Sequence, residues 1–322
     1  MSGSRHRKIR QGGKGRGKAG QIRWLAGLTL AALMVTGSMV AATDPAPLHT
    51  PATDHVGTYV WSMDDETFGG FSGIEISDDG SRFTVLSDRS EIRWGRVVRD
   101  ADGRIERLEP SGQAHLMDSN GKWLQPGWQG DSEGLAIDAD GTIWVSFEGL
   151  TRVVRYDTPE SPAKPLSRPP EFKSMQRNSS FEALAVMADG TLLTLPERSG
   201  QLTRPFAVWR WRDGVWDQPF SVPRSGDWLA VGADIGPDGR LYLLERDFKG
   251  LLGFRSRVRR FDISDSGLSH ETVLLESRPL QYDNLEGISV WRDAQDIRLT
   301  LISDDNFGML QRTELVEYRV TE

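Results

Sequence analysis

Three glutamates recur at one position of a repeated motif, and this spacing predicts a shared chemical site. Glu133, Glu182 and Glu286 each precede Gly or Ala, then Leu or Ile, at the start of a short apolar run. Ser72 and Val231 take the same position in two further repeats. Carboxylates at equivalent positions of a closed repeat converge on one axis, where they repel one another and raise each other's pKa. Such a cluster is stable when a cation or interleaved arginines neutralise it.

A second set of acids ends the strand that follows each of these runs. Its members are Asp88, Glu148, Glu197, Glu245 and Asp304. Carboxylate oxygens, in a chain with no cysteine and few histidines, favour Ca²⁺ over zinc or copper. We therefore predict a calcium site. The alternative is that these acids pair with neighbouring arginines or accept backbone N–H bonds at the strand ends.

The sequence lacks the residues that other catalytic mechanisms require. The chain has no cysteine nucleophile, no G-x-S-x-G elbow and no H-E-x-x-H zinc motif. Two of its histidines, His115 and His270, fall on predicted outer strands, and two others lie at or near the start of the mature chain. A histidine-based triad therefore has no evident member, and no glycine-rich loop leads into a helix to bind a nucleotide.

The elements that position the acids are short strands joined by Asp-Gly turns. The turn glycines are Gly80, Gly141, Gly190 and Gly239, at spacings of 61, 49 and 49 residues. A fifth unit begins at Asn284. Short strands, Asp-Gly hairpins and a period near 50 residues predict an all-β protein, a β-propeller of four-stranded blades. We predict five blades; the alternative is a sixth blade built around the hairpin of residues 93–107.

The last unit contains no fourth strand of its own. The segment 314–320 supplies its third strand, and an early strand at 59–63 is predicted to complete the sheet. Pairing the first strand with the last would close the ring without a free sheet edge.

The first 42 residues have the layout of a signal peptide. Residues 1–23 carry eight basic residues and no acid, and residues 24–42 are apolar and uncharged. Cleavage after Ala42 predicts a periplasmic or secreted protein with no stable membrane insertion; the alternative is an N-terminal anchor. Residues 43–56 are predicted to be a flexible arm and residues 57–322 the propeller. Without the leader the net charge changes from −7 to −15, which argues against nucleic acid as a partner.

The ordered motifs of this chain resemble those of the phytase-like family, whose proteins have esterase-like activity of phytase. They are Phe71-Ser-Gly-Ile-Glu75, Leu86-Ser-Asp-Arg89, Asp131-Ser-Glu-Gly-Leu-Ala136, Ser180-Phe-Glu-Ala-Leu184, Leu243-Leu-Glu-Arg-Asp-Phe248, Asp283-Asn-Leu-Glu-Gly-Ile288 and Ser303-Asp-Asp-Asn-Phe307 with Gln311-Arg-Thr313. Together they span residues 71–313.

The resemblance implies an exported hydrolase of a small-molecule ester or phosphoester, with Ca²⁺ between the acids and the substrate. The catalytic candidates are then Glu133, Glu182 and Glu286, and the metal-ligand candidates are Asp88, Glu148, Glu197, Glu245 and Asp304. Contacts to an anionic substrate would come from Arg89, Arg198 and Arg246. Two alternatives remain open, a non-catalytic propeller with a structural Ca²⁺ that binds a partner or ligand, and a lactonase-like propeller hydrolase.

Overall fold

The computed structural model describes residues 52–175, 180–294 and 296–321, and these ranges form five four-stranded antiparallel sheets. Strand β1 (Thr53–Trp61) belongs to the fifth sheet. The first sheet contains β2 (Phe71–Ile76), β3 (Arg82–Ser87), β4 (Glu91–Arg99) and β5 (Ile105–His115). The second contains β6 (Ser132–Ile137), β7 (Ile143–Phe147), β8 (Arg152–Tyr156) and β9 (Lys164–Pro165). The third contains β10 (Phe181–Val186), β11 (Leu192–Pro196), β12 (Phe206–Arg212) and β13 (Val215–Val222).

The remaining two sheets follow the same plan. The fourth contains β14 (Leu229–Ile235), β15 (Leu241–Phe248), β16 (Phe254–Ser264) and β17 (Gly267–Glu276). The fifth joins β18 (Asn284–Asp293), β19 (Asp296–Asp304), β20 (Thr313–Val320) and β1. The innermost strands β2, β6, β10, β14 and β18 contact one another in this order, and β18 returns to β2. This closed ring of sheets is a five-bladed β-propeller, which confirms the predicted fold class and blade count.

The described residues also include two short 3₁₀ helices, Pro170–Ser174 and Gly250–Leu252. Neither, nor any other helix in the described ranges, has the length and apolar character needed to cross a membrane. The predicted signal peptide, residues 1–42, lies outside the described residues.

The Asp-Gly turns form the hairpins between the first and second strands of four blades. Gly80 and Gly141 have φ values of 70° and 86°, a region that residues with a side chain enter only at a cost. The amide of each donates to the carbonyl three residues earlier, at 2.7 Å to Ser77 and 2.9 Å to Asp138. These turns lie at the opposite end of the strands from the acids, so their role is structural.

A β-bulge interrupts the innermost strand of every blade at the position of the recurring glutamates. The register shifts by one residue across Glu182 and Glu286, and the same irregularity spans Glu133. The first and fourth blades have the bulge at Ser72 and Val231. A bulge leaves one residue unpaired and turns its side chain out of the normal alternation. The bulge therefore aims this position into the centre of the ring.

Strand β1 closes the ring by pairing antiparallel with β20, from Thr53 opposite Val320 to Trp61 opposite Thr313. The predicted pairing of an early strand with the last unit is confirmed, with the strand beginning earlier than expected. Residues 53–56, predicted to belong to a flexible arm, are part of β1, because their backbone groups extend the ladder with β20. Residues 43–51 of the predicted arm lie outside the described ranges.

The hydrophobic core lies between neighbouring blades. Trp61 stacks on Phe71 with a centroid distance of 5.5 Å and meets Phe83 edge-on at 5.3 Å, joining the fifth blade to the first. The innermost strands approach so closely that a Cβ on Gly134 would lie 2.6 Å from the Cβ of Leu184 in the next blade. This close approach brings the bulged residues of different blades into one cavity.

Candidate metal centre and active site

The acids converge on a cavity of about 290 Å³ at the centre of the ring. Its lining, over the described ranges, consists of eight carboxylates, two arginines and an asparagine. They are Asp88, Asp131, Glu133, Glu148, Glu182, Glu197, Arg198, Arg246, Glu286, Asp304 and Asn306. The cavity therefore offers charged oxygen and guanidinium groups and no apolar wall.

Glu133, Glu182 and Glu286 reach this cavity from the bulges of the second, third and fifth blades. The equivalent residues of the other two blades do not contribute a charge. Ser72 donates from its hydroxyl to the carbonyl of Ser132 over 2.9 Å, and Val231 is buried. The recurring motif thus places an acid in the cavity from three of the five blades.

Four acids of the second set reach the cavity, and each directly follows the residue that pairs with the first strand just before the bulge. The amide of Glu148 donates to the carbonyl of Asp131 at 2.9 Å, and that of Glu197 to Ser180 at 2.9 Å. The amide of Asp88 makes the same bond to Gly70 at 2.7 Å. These bonds fix the ends of the second strands beside the chain that enters the first strands.

Glu245 is the exception, and its prediction as a metal ligand requires a correction. Its carboxylate is fully buried and accepts bonds from Arg257 Nε at 2.8 Å and Arg259 Nη2 at 2.6 Å. In the ladder, Ala230 before the bulge pairs with Glu245. The corresponding ladder pairs of the other blades contain Ser87, Phe147, Pro196 and Ser303, and an acid of the second set directly follows each of these residues. In the fourth blade the residue equivalent to these acids is therefore Arg246, and the side chain of Glu245 is directed to the opposite face of the sheet.

Arg246 lies inside the cavity and is bonded to two of its acids. Its Nη2 donates to Glu197 Oε1 at 3.0 Å, and its Nη1 donates to Asn284 Oδ1 at 2.8 Å. The same Nη1 also bonds Glu286. Arg246 thus neutralises the part of the ring that contains Glu197 and Glu286.

The other two predicted substrate-binding arginines differ in position. Arg198 lines the cavity, is about half exposed and donates from Nε to Glu197 Oε2 at 3.0 Å. Arg89 is exposed and does not line the cavity. Its guanidinium carbon lies 3.3 Å above the ring of Phe307, a cation–π contact between the first and fifth blades.

Asp131, Glu133 and Glu148 form a cluster that could hold a metal ion. One carboxylate oxygen from each lies within 4.8 Å of the other two. Because Ca²⁺ binds oxygen ligands at about 2.3–2.6 Å, two ligands of one ion can lie up to about 5 Å apart. The donor set and its spacing fit a hard divalent cation.

Residues 66–307, three quarters of the chain, match the phytase-like family, described as esterase-like activity of phytase. The chain belongs to this phytase-like family. No curated protein matches it.

Solved structures are similar to this phytase-like chain at low identity. The α-L-arabinofuranosidase of Podospora anserina in complex with cellotriose is 14% identical, with a TM-score of 0.50 over 83% of this chain and 98% of that one. The PQQ-bound aldose sugar dehydrogenase of Streptomyces coelicolor is 14% identical, with a TM-score of 0.45 over 84% and 99%. A gluconolactonase of Xanthomonas campestris is 19% identical, with a TM-score of 0.40 over 77% and 72%. At this identity the likeness to the arabinofuranosidase shows the fold alone.

Burial and the charges of neighbouring acids disfavour the ionised form of the carboxylates in this phytase-like centre. Burial and the charges of Glu286, Glu148, Asp131 and Asp88 raise the pKa of Glu133 well above its ordinary value. Burial raises the pKa of Glu148 to about 7. Burial and the charge of Glu286 raise the pKa of Asp304 to about 8. A cation bound among these groups would remove the repulsion that raises their pKa values.

Arg246 opposes the rise in the pKa of its neighbour Glu286. Burial raises the pKa of Glu286, but the charge of Arg246 and a bond from Asn284 oppose the rise. Burial lowers the pKa of Arg246, yet the charges of Glu286, Glu182 and Glu197 raise it above its ordinary value. Arg246 is therefore a permanent cation of the cavity.

Two cavity residues escaped the sequence prediction. Asp131 opens the motif that contains Glu133 and lies two residues before the bulge, so its place in the repeated pattern was a usable signal. Asn306 has a φ of 48° and its amide donates to Asp304 Oδ1 at 2.6 Å. This local turn brings Asn306 to the cavity, and the repeat pattern carries no sign of it.

Glu75 and Asp234, two further acids of the innermost strands, are outside the cavity lining described above. Asp234 accepts the amide of Val290 at 2.6 Å, and Glu75 accepts the hydroxyl of Ser289 at 3.3 Å. Burial and the charge of Asp234 raise the pKa of Glu75 well above its ordinary value, and burial raises that of Asp234 to about 7. These contacts join the first and fourth blades to the fifth.

Proposed function

We propose that this phytase-like propeller is an exported hydrolase of small-molecule esters, phosphate or carboxylic, that depends on Ca²⁺. The observation that carries the proposal is the cluster of Asp131, Glu133 and Glu148 beside further acids in one polar cavity. The family description, esterase-like activity of phytase, supports the reaction class.

Asp131, Glu133 and Glu148 would hold the cation. A divalent ion supplies Lewis-acid polarisation of an ester oxygen and stabilises the negative charge that develops there. Glu182 shares a hydrogen bond with Glu148, and this contact lowers the pKa of Glu148 against the larger effect of burial. Glu182 would therefore orient the ligand Glu148.

Glu286 is the carboxylate best suited to act as a general base. It lies in the cavity, and its charge is supported by Arg246 and by a bond of 2.7 Å from Asn284 Nδ2. Its raised pKa brings proton uptake closer to neutral pH, where general bases are most effective. Glu286 would take a proton from the attacking water while Arg246 holds its side chain in place.

Hydrolysis by the purified protein tests this function. p-Nitrophenyl acetate, p-nitrophenyl butyrate and p-nitrophenyl phosphate are assayed with Ca²⁺ and with a chelator. We expect turnover of at least one substrate, loss of turnover with the chelator and recovery when Ca²⁺ is restored. A simple δ-lactone in the same series distinguishes a lactonase-like specificity.

Rates equal to those in buffer for all substrates would contradict the enzymatic proposal. A melting temperature that still falls on chelation would then favour a non-catalytic propeller with a structural Ca²⁺. Export is tested separately, by fractionation of cells that produce the full chain and by N-terminal sequencing of the product, with cleavage expected after Ala42.

A further inference from the structure

The ring of second-strand positions contains four acids and one arginine. Counting each position from its bulge, the five members are Asp88, Glu148, Glu197, Arg246 and Asp304. Arg246 therefore stands where the fold places an acid in every other blade. Its charge enters the cavity from the same backbone geometry as the acids themselves.

The contacts of Arg246 resemble those of a bound cation. Its guanidinium lies between Glu197 of the third blade and Glu286 of the fifth, and it also bonds the amide oxygen of Asn284. Its side chain is largely buried, at 16% exposure, and the two partner carboxylates are buried as well. A fixed guanidinium with oxygen partners from two other blades joins three blades through one positive charge.

The acids on the two sides of the cavity differ in whether Arg246 neutralises them. Asp131, Glu133 and Glu148 lie within ligand distance of one another, whereas Glu197 and Glu286 are bonded to Arg246. In the described ranges, no arginine or lysine forms an ion pair with Asp131 or Glu133. Of these two sets of acids, only Asp131, Glu133 and Glu148 lack an arginine partner in the described ranges.

We propose that Arg246 takes the place of a second divalent cation, so that the cavity binds one ion, on the side of Asp131, Glu133 and Glu148. This inference depends on the metal centre of the proposed function but not on hydrolysis. It makes Arg246 a positioning residue, bonded to Glu197 and Glu286, and not a contact to substrate.

The chemical class of the ligand follows from the remaining charge. Eight carboxylates and two guanidinium groups give the cavity as many as six negative charges, and one divalent cation leaves as many as four. Such a field repels a ligand with many negative charges. The substrate that fits is therefore an ester with few negative charges, such as a carboxylic ester or a phosphodiester, and not a polyphosphorylated molecule.

Calcium titration of the chelator-treated, purified protein tests the inference. Isothermal titration calorimetry and equilibrium dialysis with CaCl₂ are expected to give one site per wild-type chain. In Arg246→Gln, Glu197 and Glu286 lose their cation, so we expect a second site and a stoichiometry of two. Arg246→Lys keeps a positive charge and should stay at one. Arg198→Gln is the matched control, because Arg198 also bonds Glu197 but is half exposed, and it should stay at one.

Glu133→Gln assigns the site, since it should weaken the single wild-type Ca²⁺ site by at least about 10-fold. Two or more ions in the wild-type cavity, or none, would overturn the inference, and this measurement does not require the variant to fold. A stoichiometry that remains at one in a folded Arg246→Gln protein would also overturn it. If the wild type binds one Ca²⁺ and Arg246→Gln binds two, but no substrate is hydrolysed, the enzymatic proposal is contradicted and the inference about Arg246 stands.

Discussion

The backbone N–H of Glu148 donates to the carbonyl oxygen of Asp131 over 2.9 Å, and this bond joins two acids that are far apart in sequence. It holds the end of β7 against the chain that enters β6. Glu133 follows Asp131 by two residues, so the same bond brings all three side chains of the metal-capable cluster together. The cluster is therefore positioned by the backbone, through this hydrogen bond and the β-bulge at Glu133.

Glu133→Gln should weaken Ca²⁺ binding and stabilise the metal-free protein. The loss of affinity should be at least about 10-fold, which is the lower end even for residues that only support metal ligands. The neutral amide also removes a buried carboxylate that repels Glu148 and Asp131. Calorimetry with CaCl₂ and melting in chelator measure the two effects. Unchanged affinity in the folded variant would remove Glu133 from the ligand set.

Glu286→Gln should separate catalysis from metal binding. A lost general base lowers kcat by about 10²–10⁴-fold. The ligand cluster contains no atom of Glu286, and Arg246 keeps its bond to Glu197, so the Ca²⁺ stoichiometry should not change. Steady-state kinetics and titration on one preparation give both values. A kcat close to that of the wild type would exclude Glu286 as the base.

Stability of the metal-free protein should fall as the pH rises from about 4 to about 8. Folding raises the pKa of Asp88 to about 6, of Glu148 to about 7 and of Asp304 to about 8, against about 4 in the unfolded chain. The folded state thus binds more protons, and this stabilisation is complete below the unfolded pKa and lost as the pH rises through the folded values. Chemical denaturation in chelator at several pH values measures it.

Excess Ca²⁺ should oppose this trend, because the ion binds the ionised carboxylates and displaces their protons. The control is the same pH series at saturating CaCl₂, in which stability should hold or increase over this range. A metal-free protein that becomes more stable between pH 5 and pH 8 would contradict the raised pKa values.

Glu245→Gln should destabilise the fold without affecting the metal centre. The change leaves Arg257 and Arg259 in the interior without their shared counter-charge, and breaking a buried ion pair costs about 3–5 kcal/mol. Denaturant unfolding reports the loss, and CaCl₂ titration should still give the wild-type affinity. Glu148→Gln is the matched comparison, since we expect it to weaken Ca²⁺ binding. Impaired Ca²⁺ binding in folded Glu245→Gln would restore the sequence-based assignment of Glu245.

Trp61→Ala should destabilise the closure between the fifth and first blades by about 3–5 kcal/mol, as for other buried aromatic truncations. Trp61 lies on β1, is 4% exposed and packs on Phe71 and Phe83. Its neighbour Val60 is 53% exposed, so Val60→Ala should change stability by no more than about 0.5 kcal/mol. Equal effects of the two substitutions on denaturant unfolding would argue against closure through this contact.

The repeat made most of the fold predictable from sequence. Asp-Gly turns near a 50-residue period identify the blades, and the shared position of Glu133, Glu182 and Glu286 identifies the cavity. The ring member of the fourth blade was not predictable in this way. Glu245 and Arg246 are adjacent, and a strand directs neighbouring side chains to opposite faces, so a shift of one residue exchanges them. Only the ladder, with Ala230 opposite Glu245, decides which one enters the cavity.

The pairing of β1 with β20 also governs the order in which the molecule can be completed. Thr53 has its partner at Val320, beyond all the other blades, so the fifth sheet stays unfinished until the last strand has been synthesised. Until then β1 has no ladder partner, and the third and fourth strands of the fifth sheet are missing. Contacts of such long sequence separation form late and slow the folding of β-rich chains. Pairing of β1 with β20 therefore closes the ring of blades only after the rest of the propeller has been synthesised.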